Sequence, residues 1–375
     1  MILKKIRVKN FRNIKAAELE FGSGVNVFYG DNAQGKTNLL EAAAIVLGKN
    51  FRNIRKNDII PFDNDKALTE IDLFYENESV SSKLNQISYR ADSEKSSLEI
   101  NSIPIEKAKR LYGKYKYVTF IPDELEIIKG YPALRRTYLD NIAIMQNAVH
   151  RNFLSEYKYA LKQRCAAYFE RNPVMDKMLD IWDDILIKQG INLTYGRLKY
   201  LCLIEKYTPK IYRELSDGEE LGICYFSDIY GEISSVDSNN KEKLYNMYKE
   251  KLRASALVGQ SAQMPGAHRD DILFTINGNS ARNYGSQGQL RSIAVSLKLA
   301  EAEIIREFNK ENPVVLLDEV LSELDEKRRR FIIKHFVNSQ VFITSCNVND
   351  LINDIENIRI WSVNEGDFSL SSFGE

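Results

Sequence analysis

Residues 30–37, Gly30-Asp31-Asn32-Ala33-Gln34-Gly35-Lys36-Thr37, match G-x-x-x-x-G-K-[ST] at every fixed position. No other stretch constrains the fold as much, because this loop works only between a buried strand and a helix. Both flanks comply. Val25-Asn26-Val27-Phe28-Tyr29 reads as a short buried strand, and Asn38 to Leu47 reads as a helix with Gly48 as a left-handed stop. Gly30 and Gly35 let the backbone curl so that successive N–H groups point inward at phosphate oxygens. The helix N-terminus adds partial positive charge, and Lys36 is placed to reach the β- and γ-phosphates. Thr37 supplies a hydroxyl for Mg²⁺. The expectation is an α/β fold that binds a nucleoside triphosphate with Mg²⁺ through residues 30–37.

At 375 residues, 44% of them hydrophobic and 28% charged, the chain has material for about two domains with real cores. It contains no apolar run of about 18 residues, so no membrane-spanning helix is expected. Met1-Ile2-Leu3-Lys4-Lys5-Ile6 alternates with charge at once, unlike a secretory signal. Cys165, Cys202, Cys224 and Cys346 lack C-x-x-C spacing and have apolar or aromatic neighbours. They are expected to be reduced core residues of a cytoplasmic protein. The three histidines are too scattered for a dedicated zinc site.

Formal net charge is zero, but distribution decides what a surface attracts. Residues 1–60 carry eleven Lys and Arg against five Asp and Glu. A second cluster, Lys107, Lys109, Arg110, Lys114 and Lys116, is interleaved with Tyr112, Tyr115 and Tyr117. That pattern suits a nucleic-acid backbone with stacking, and equally a solvated strand whose tyrosines face the core.

Taken in order, the first third reads as sheet around one helix. Alternating runs at Ile6–Phe11, Ala17–Phe21, Leu68–Tyr75 and Gln86–Arg90 predict half-buried strands. Ser97–Ile100 and Ile103–Ile105 form a strand–turn–strand unit, and Tyr117–Ile121 is a buried strand ending at Pro122. From Glu124 to about Leu215 helical periodicity dominates, with boundaries at Asn172-Pro173 and Thr208-Pro209. A short strand over Leu221–Phe226 and a charged helix from Lys241 to about Leu257 complete this inserted lobe. No heptad pattern is sustained. Asp271–Ile276 with Asn277-Gly278 predicts a strand and hairpin turn. Leu290, Ile293, Leu297, Ile304 and Phe308 mark a helix face. Val314–Leu317, Gln340–Thr344 and Ile358–Val363 are further strands, the last of the chain.

A phosphate loop needs an acid at the end of a neighbouring strand. Val314-Val315-Leu316-Leu317-Asp318-Glu319 supplies two: Asp318 for Mg²⁺ and Glu319 to polarise the attacking water. Lys36, Asp318 and Glu319 are therefore the candidate catalytic residues, with Thr37 and Asp318 on the metal. The great separation between loop and acid matches the layout of ABC-type ATPases. Ser286-Gln287-Gly288-Gln289, opening the Leu290 helix, fits the turn that meets the nucleotide of a second subunit. Simple helix capping is the alternative for Ser286. Ser322-Glu323-Leu324-Asp325 fits the loop crossing such a dimer seam.

These motifs together resemble the RecF family, SMC-like ABC ATPases without the coiled coil. The resemblance runs nearly end to end. It rests on Lys9-Asn10-Phe11-Arg12-Asn13, residues 30–42, Phe51-Arg52, Pro122-Asp123-Glu124-Leu125 with Lys129-Gly130, Arg135-Arg136, His268-Arg269-Asp270-Asp271, and Ser286 to Arg291. It implies an ATPase lobe made of residues 1–121 and 285–375, with a mostly helical lobe over 122–284. It also implies ATP-driven dimerisation on DNA at gaps or single-strand/double-strand junctions, and cooperation with RecO and RecR in loading RecA. The charge clusters make Arg135, Arg136, Lys107, Lys109 and Arg110 candidate phosphate contacts, without requiring that all touch DNA.

Two departures stand out. Gly266-Ala267 replaces the Gly-Pro found in many relatives, and Thr344-Ser345 stands where transporter-type ABC ATPases place a switch histidine. A transporter's nucleotide-binding subunit is the competing reading, though no coupling groove for a membrane partner is evident. A nuclease carrying an ABC domain would need a further acidic metal cluster.

Overall fold

The computed structural model describes residues 1–48, 56–61, 68–77, 81–105, 111, 113–170, 173–216, 218–237, 239–257, 264–347 and 358–371. Phe51-Arg52, Lys107, Lys109, Arg110, Tyr112 and Asn172 lie outside them. Two compact units emerge, Met1–Glu124 with Glu301–Glu375, and Leu125–Ala300. The division expected at 284/285 falls just before the helix Gln287–Asn309, whereas the compact division falls within that helix.

The first unit contains two six-stranded sheets. One is antiparallel, in the order Ile14–Glu20, Ile2–Phe11, Thr69–Asn77, Ser81–Ala91, Ser96–Ile100, Ile103–Pro104. The other runs Asp367–Leu370, Ile358–Asn364, Val25–Tyr29, Val341–Ser345, Val314–Asp318, Tyr117–Phe120. Its strands are parallel except for the hairpin strand Asp367–Leu370. The helix Lys36–Val46 packs against strands of both sheets. That explains its sequence: Leu39, Leu40, Ala42, Ala43, Ala44 and Val46 are all buried, so the helix is apolar nearly all round. Leu3, Ile6 and Val8 from one sheet share a core with Phe28, Leu316 and Phe342 from the other.

Among the described residues, part of the basic excess at the N-terminus is paired. Register sets Lys9 opposite Glu70 and Arg7 opposite Asp72 on adjacent strands. Lys4 bridges Glu76 at 3.0 Å, Lys9 bridges Glu70 at 3.7 Å, and Arg7 and Lys5 both bridge Glu18. The acids Glu70, Asp72 and Glu76 lie beyond residue 60, so a count over the first sixty residues misses them. In the second basic cluster Tyr115 and Tyr117 are buried and Lys116 Nζ donates to Gly113 O at 2.9 Å. At these positions the tyrosines face the core.

The second unit holds the helices Pro132–Gln146, Val149–Glu170, Pro173–Leu215 and Lys241–Leu257. A four-stranded antiparallel sheet accompanies them, in the order Gly231–Glu232, Leu221–Ser227, Asp271–Ile276, Asn279–Ser280. Pro209 does not end a helix as expected; it lies inside Pro173–Leu215. The turn around it is held by burial, with Thr208, Ile211, Tyr212 and Leu215 all in the core, and tertiary packing overrides one lost backbone hydrogen bond. Three further expectations fail. Phe308 is exposed on the last turn of its helix. Ile358–Val363 is followed by one more strand, Asp367–Leu370, through a turn with Glu365 and Gly366 at positive φ. The free cysteines are not core residues: Cys202 and Cys346 are exposed, and Cys165 and Cys224 half-buried.

Arg135 is also placed differently. It is 2% exposed, and each guanidinium nitrogen has a partner. Nε and Nη2 grip the Asp271 carboxylate at 2.7 and 3.0 Å, while Nη1 donates to the carbonyls of Ile127, Ile128 and Gly130. Buried and bonded at all three nitrogens, Arg135 is a structural clamp. Its neighbour Arg136 donates to Asp270 O at 2.7 Å. Asp270 accepts from Tyr225 Oη at 2.5 Å and from the Asp228 N–H at 2.8 Å. Asp140 takes a bidentate grip from Arg197 at 2.8 and 2.9 Å and a bond from His150 at 2.9 Å. Burial alone would push that carboxyl up, but Arg197 and His150 hold it well below the usual carboxylate range. The motifs Arg135-Arg136 and Asp270-Asp271 thus meet within this unit, while Arg269 stays exposed.

Candidate active site

The phosphate loop sits where its sequence requires. Gly35, at φ 110°, is the N-cap of the helix Lys36–Val46. A Cβ there would meet Asn13 Nδ2 and Oδ1 at 2.9 Å, so only glycine fits. Asn13 in turn accepts from Asn38 Nδ2 at 2.7 Å, and Arg12 donates to Asn38 Oδ1 at 3.1 Å and bridges the buried Glu41 at 2.8 Å. The first hairpin therefore braces the helix that carries Lys36. A second brace comes from the C-terminal hairpin turn. Gly366 N donates to Gln34 O at 2.8 Å, and Glu365 N donates to Gln34 Oε1 at 2.6 Å. An Asn364-Glu365-Gly366 turn between alternating strands was a readable signal for this second brace.

Parallel pairing of Val25–Tyr29 with Val341–Ser345, and of that strand with Val314–Asp318, brings the acids to the loop. Thr37 Oγ1 donates to Asp318 Oδ1 at 2.7 Å. Lys36 Nζ, on a side chain 2% exposed, donates to the carbonyls of Gly30 and Asp31, both at 2.8 Å, and lies 3.3 Å from Glu319 Oε1. Lys36, Thr37, Asp318 and Glu319 are thus one cluster.

Thr344 explains how the acids are held. Its buried hydroxyl donates to Asp318 Oδ1 at 2.9 Å and accepts the Glu319 N–H at 2.9 Å. Glu319 has left-handed backbone, φ 55°, a conformation that disfavours side chains and often marks functional positions. Ser322 Oγ donates to its carbonyl at 2.6 Å, a second restraint. Ser345 Oγ donates to Asn347 O at 2.7 Å. Both hydroxyls at the place of the switch histidine are therefore engaged locally. The next side chain, Cys346, reaches the cluster: its thiol donates to Asn32 Oδ1 at 2.9 Å and lies 3.6 Å from Lys36 Nζ. The sequence marked Thr344 only by its place at the switch-histidine position and offered no local signal for Cys346, since both contacts depend on strand order.

Two hard oxygens, Thr37 Oγ1 and Asp318 Oδ1, fit Mg²⁺, which takes few protein ligands and completes its shell with phosphate and water. Among the described residues no cluster of three or more His, Cys, Asp or Glu could hold a metal by itself.

The turn Ser286–Gln289 lies in the second unit, on exposed to half-buried residues. Ser286 N donates to Gln289 Oε1 at 2.8 Å and Gln289 N donates to Ser286 Oγ at 3.2 Å, a reciprocal cap on the helix Gln287–Asn309. Gln289 Nε2 also donates to Glu219 Oε1 at 2.6 Å. Capping is therefore real; it leaves Ser286 and Gln287 at the surface.

The family described as the RecF/RecN/SMC N terminal domain matches residues 2–368. The chain is similar to the DNA replication and repair protein RecF of Lachnospira eligens, 33% identical across 98% of each chain. RecF of Lachnoclostridium phytofermentans is 34% identical, over 98% of this chain and 99% of that one. Among solved structures, the recombination mediator protein RecF with ATP in the RecFOR pathway superposes with a TM-score of 0.87 at 31% identity, covering 99% of this chain and 98% of that one. An Smc head bound to the C-winged helix domain of ScpA shares the fold, with a TM-score of 0.56 at 17% identity over 99% and 98% of the two chains. With kinship running from one end to the other, and a fold shared with both RecF and Smc heads, the chain belongs to the RecF family.

Proposed function

We propose that this chain is an ATP-dependent DNA-binding protein of recombinational repair, an ABC-type ATPase whose nucleotide state controls dimerisation on DNA. The observation that carries this reading is the convergence of Lys36, Thr37, Asp318 and Glu319 around one point. RecF relatives named for DNA replication and repair, and the RecF–ATP structure, support it. The RecF kinship argues against a transporter subunit.

In this reading residues 1–121 and 285–375 form the ATPase lobe and residues 122–284 the second lobe. The backbone N–H groups of residues 30–37 hold the phosphates, and Lys36 exchanges its two carbonyl partners for phosphate oxygens. Thr37 and Asp318 would hold Mg²⁺, which when bound neutralises charge on the transferred phosphoryl group. Glu319 takes a proton from the attacking water while Thr344 keeps its backbone fixed. Ser286, Gln287, Gly288 and Gln289 reach the γ-phosphate of a second copy, so ATP favours the dimer and ADP does not. DNA gaps or junctions are the expected substrate, RecO and RecR the expected partners, RecA loading the outcome, and the cytoplasm the place.

The test is ATP hydrolysis by the purified chain with and without duplex, single-stranded and gapped DNA, paired with light scattering in ATP and ADP. DNA-stimulated hydrolysis and an ATP-only dimer are expected. Hydrolysis indifferent to every DNA, from a species that is monomeric in both nucleotides, would overturn the reading.

A further inference from the structure

Three atoms form a small triangle at the end of the strand Val341–Ser345. Lys36 Nζ lies 3.3 Å from Glu319 Oε1 and 3.6 Å from Cys346 Sγ, and Cys346 Sγ lies 4.0 Å from Glu319 Oε1. They come from the phosphate loop, the acidic turn and the segment after the neighbouring strand. The sulfur is additionally tied to the loop through Asn32 Oδ1 at 2.9 Å. Thr344 and Ser345 spend their hydroxyls elsewhere, so Cys346 is the first side chain past the strand to face this point.

We propose that Cys346 is a residue of the reacting site: its thiol contacts the terminal phosphate of bound triphosphate and governs turnover more than affinity. This rests on the ATP reading above. A phosphate oxygen held by Lys36 and facing a water beside Glu319 has to occupy the space these three atoms border, and it then lies against Sγ. The thiol is a weak donor without fixed charge, and its one S–H turns from Asn32 Oδ1 to the phosphate oxygen. It adds little to the binding of a triphosphate already held by a loop of N–H groups and a lysine. It acts where charge shifts during transfer, and contacts that strengthen only there change kcat without changing KM.

The full chain tests this in two ways. Cys346→Ala should lower kcat about tenfold, less than the loss of a strong oxyanion donor, with KM nearly unchanged. Cys346→Ser should restore most of it. Separately, iodoacetamide labelling of Cys346, read by peptide mass spectrometry, should slow severalfold with the non-hydrolysable analogue AMP-PNP and Mg²⁺. ADP should give much less protection, and the exposed Cys202 serves as the internal reference. The labelling is done at a concentration where light scattering reports monomer.

Unchanged kcat in Cys346→Ala would overturn the proposal, as would equal protection by ADP and AMP-PNP while both bind. Protection seen only in the dimer would come from a closed seam and would overturn it too. A fluorescent-nucleotide titration separates the two levels. Bound nucleotide with Cys346 unprotected sinks this inference alone, whereas no binding at all sinks the ATP reading and this inference with it.

Discussion

Thr37 Oγ1 donates to Asp318 Oδ1 across 2.7 Å, joining side chains 281 positions apart. The bond shows how closely strand order brings the proposed Mg²⁺ ligands together. Asp318→Asn keeps the shape and halves the hard-oxygen character. It is expected to cut Mg²⁺-dependent turnover by about a hundredfold or more. Nucleotide binding without Mg²⁺ should stay within about threefold, because the loop amides and Lys36 are untouched. Turnover measured against Mg²⁺ concentration decides.

Thr344 serves two carboxylate residues with one hydroxyl. Thr344→Val keeps the volume, removes both bonds and leaves the Glu319 N–H in a strained turn without that acceptor. The expected cost is about 1–2 kcal/mol of stability. Single-turnover hydrolysis should slow about tenfold through misplacement of Glu319, with nucleotide affinity little changed. A loss of stability with wild-type turnover would reduce Thr344 to a packing residue.

Glu319→Gln should bind ATP, dimerise and hydrolyse about a hundredfold or more slowly, since only proton abstraction is lost. Lys36→Ala should fail to bind triphosphate productively, and Ser286→Arg should block the seam. Mixed, the last two can assemble one complete site from Lys36 of one chain and Ser286 of the other. Partial recovery of hydrolysis on mixing is the expected result; no recovery, with monomer throughout, would mean a site completed within one chain.

Arg135→Ala removes a clamp, not a DNA contact. It strands the Asp271 carboxylate and three carbonyls, so about 3–5 kcal/mol of stability should go. The salt dependence of DNA affinity in the folded fraction should keep its slope. A slope reduced by about one would return Arg135 to the phosphate contacts.

His268 gives the second unit a pH response. Burial, then the Arg136 and Arg269 charges, push its imidazole down to about 4, against a partial pull from Asp228. Its Nδ1 is paired with Tyr157 Oη at 2.7 Å. Between an unfolded value of 6.5 and about 4 the unfolded state binds the extra proton. This contribution is therefore present above pH 6.5 and is lost as pH falls toward 4. Its full size is on the order of 1–3 kcal/mol. Urea unfolding at pH 7 and pH 4.5 should show the stability gap between the parent and His268→Gln shrinking at the lower pH. A gap that does not change would place His268 outside the titration.

What the chain's order of residues determined by itself was local. Gly30 to Thr37 dictates its own backbone between a strand and a helix, because the φ freedom of Gly35, the cap and the lysine all act within eight positions. The buried strand ahead of Asp318 and Glu319, and the capped turn at Ser286, were legible for the same reason. Periodicity over five to ten residues also marked most strands. Partners are another matter. The basic N-terminal stretch looked free until register set Lys9 beside Glu70. Arg135 looked like a phosphate contact until folding put Asp271, 136 positions away, against it. Thr344 and Cys346 became part of the site only because Val341–Ser345 lies between the phosphate-loop strand and the acidic strand. Backbone shape answers to neighbours in sequence, but a side chain's hydrogen bonds and charge partners answer to strand order and register, which the tertiary structure alone decides.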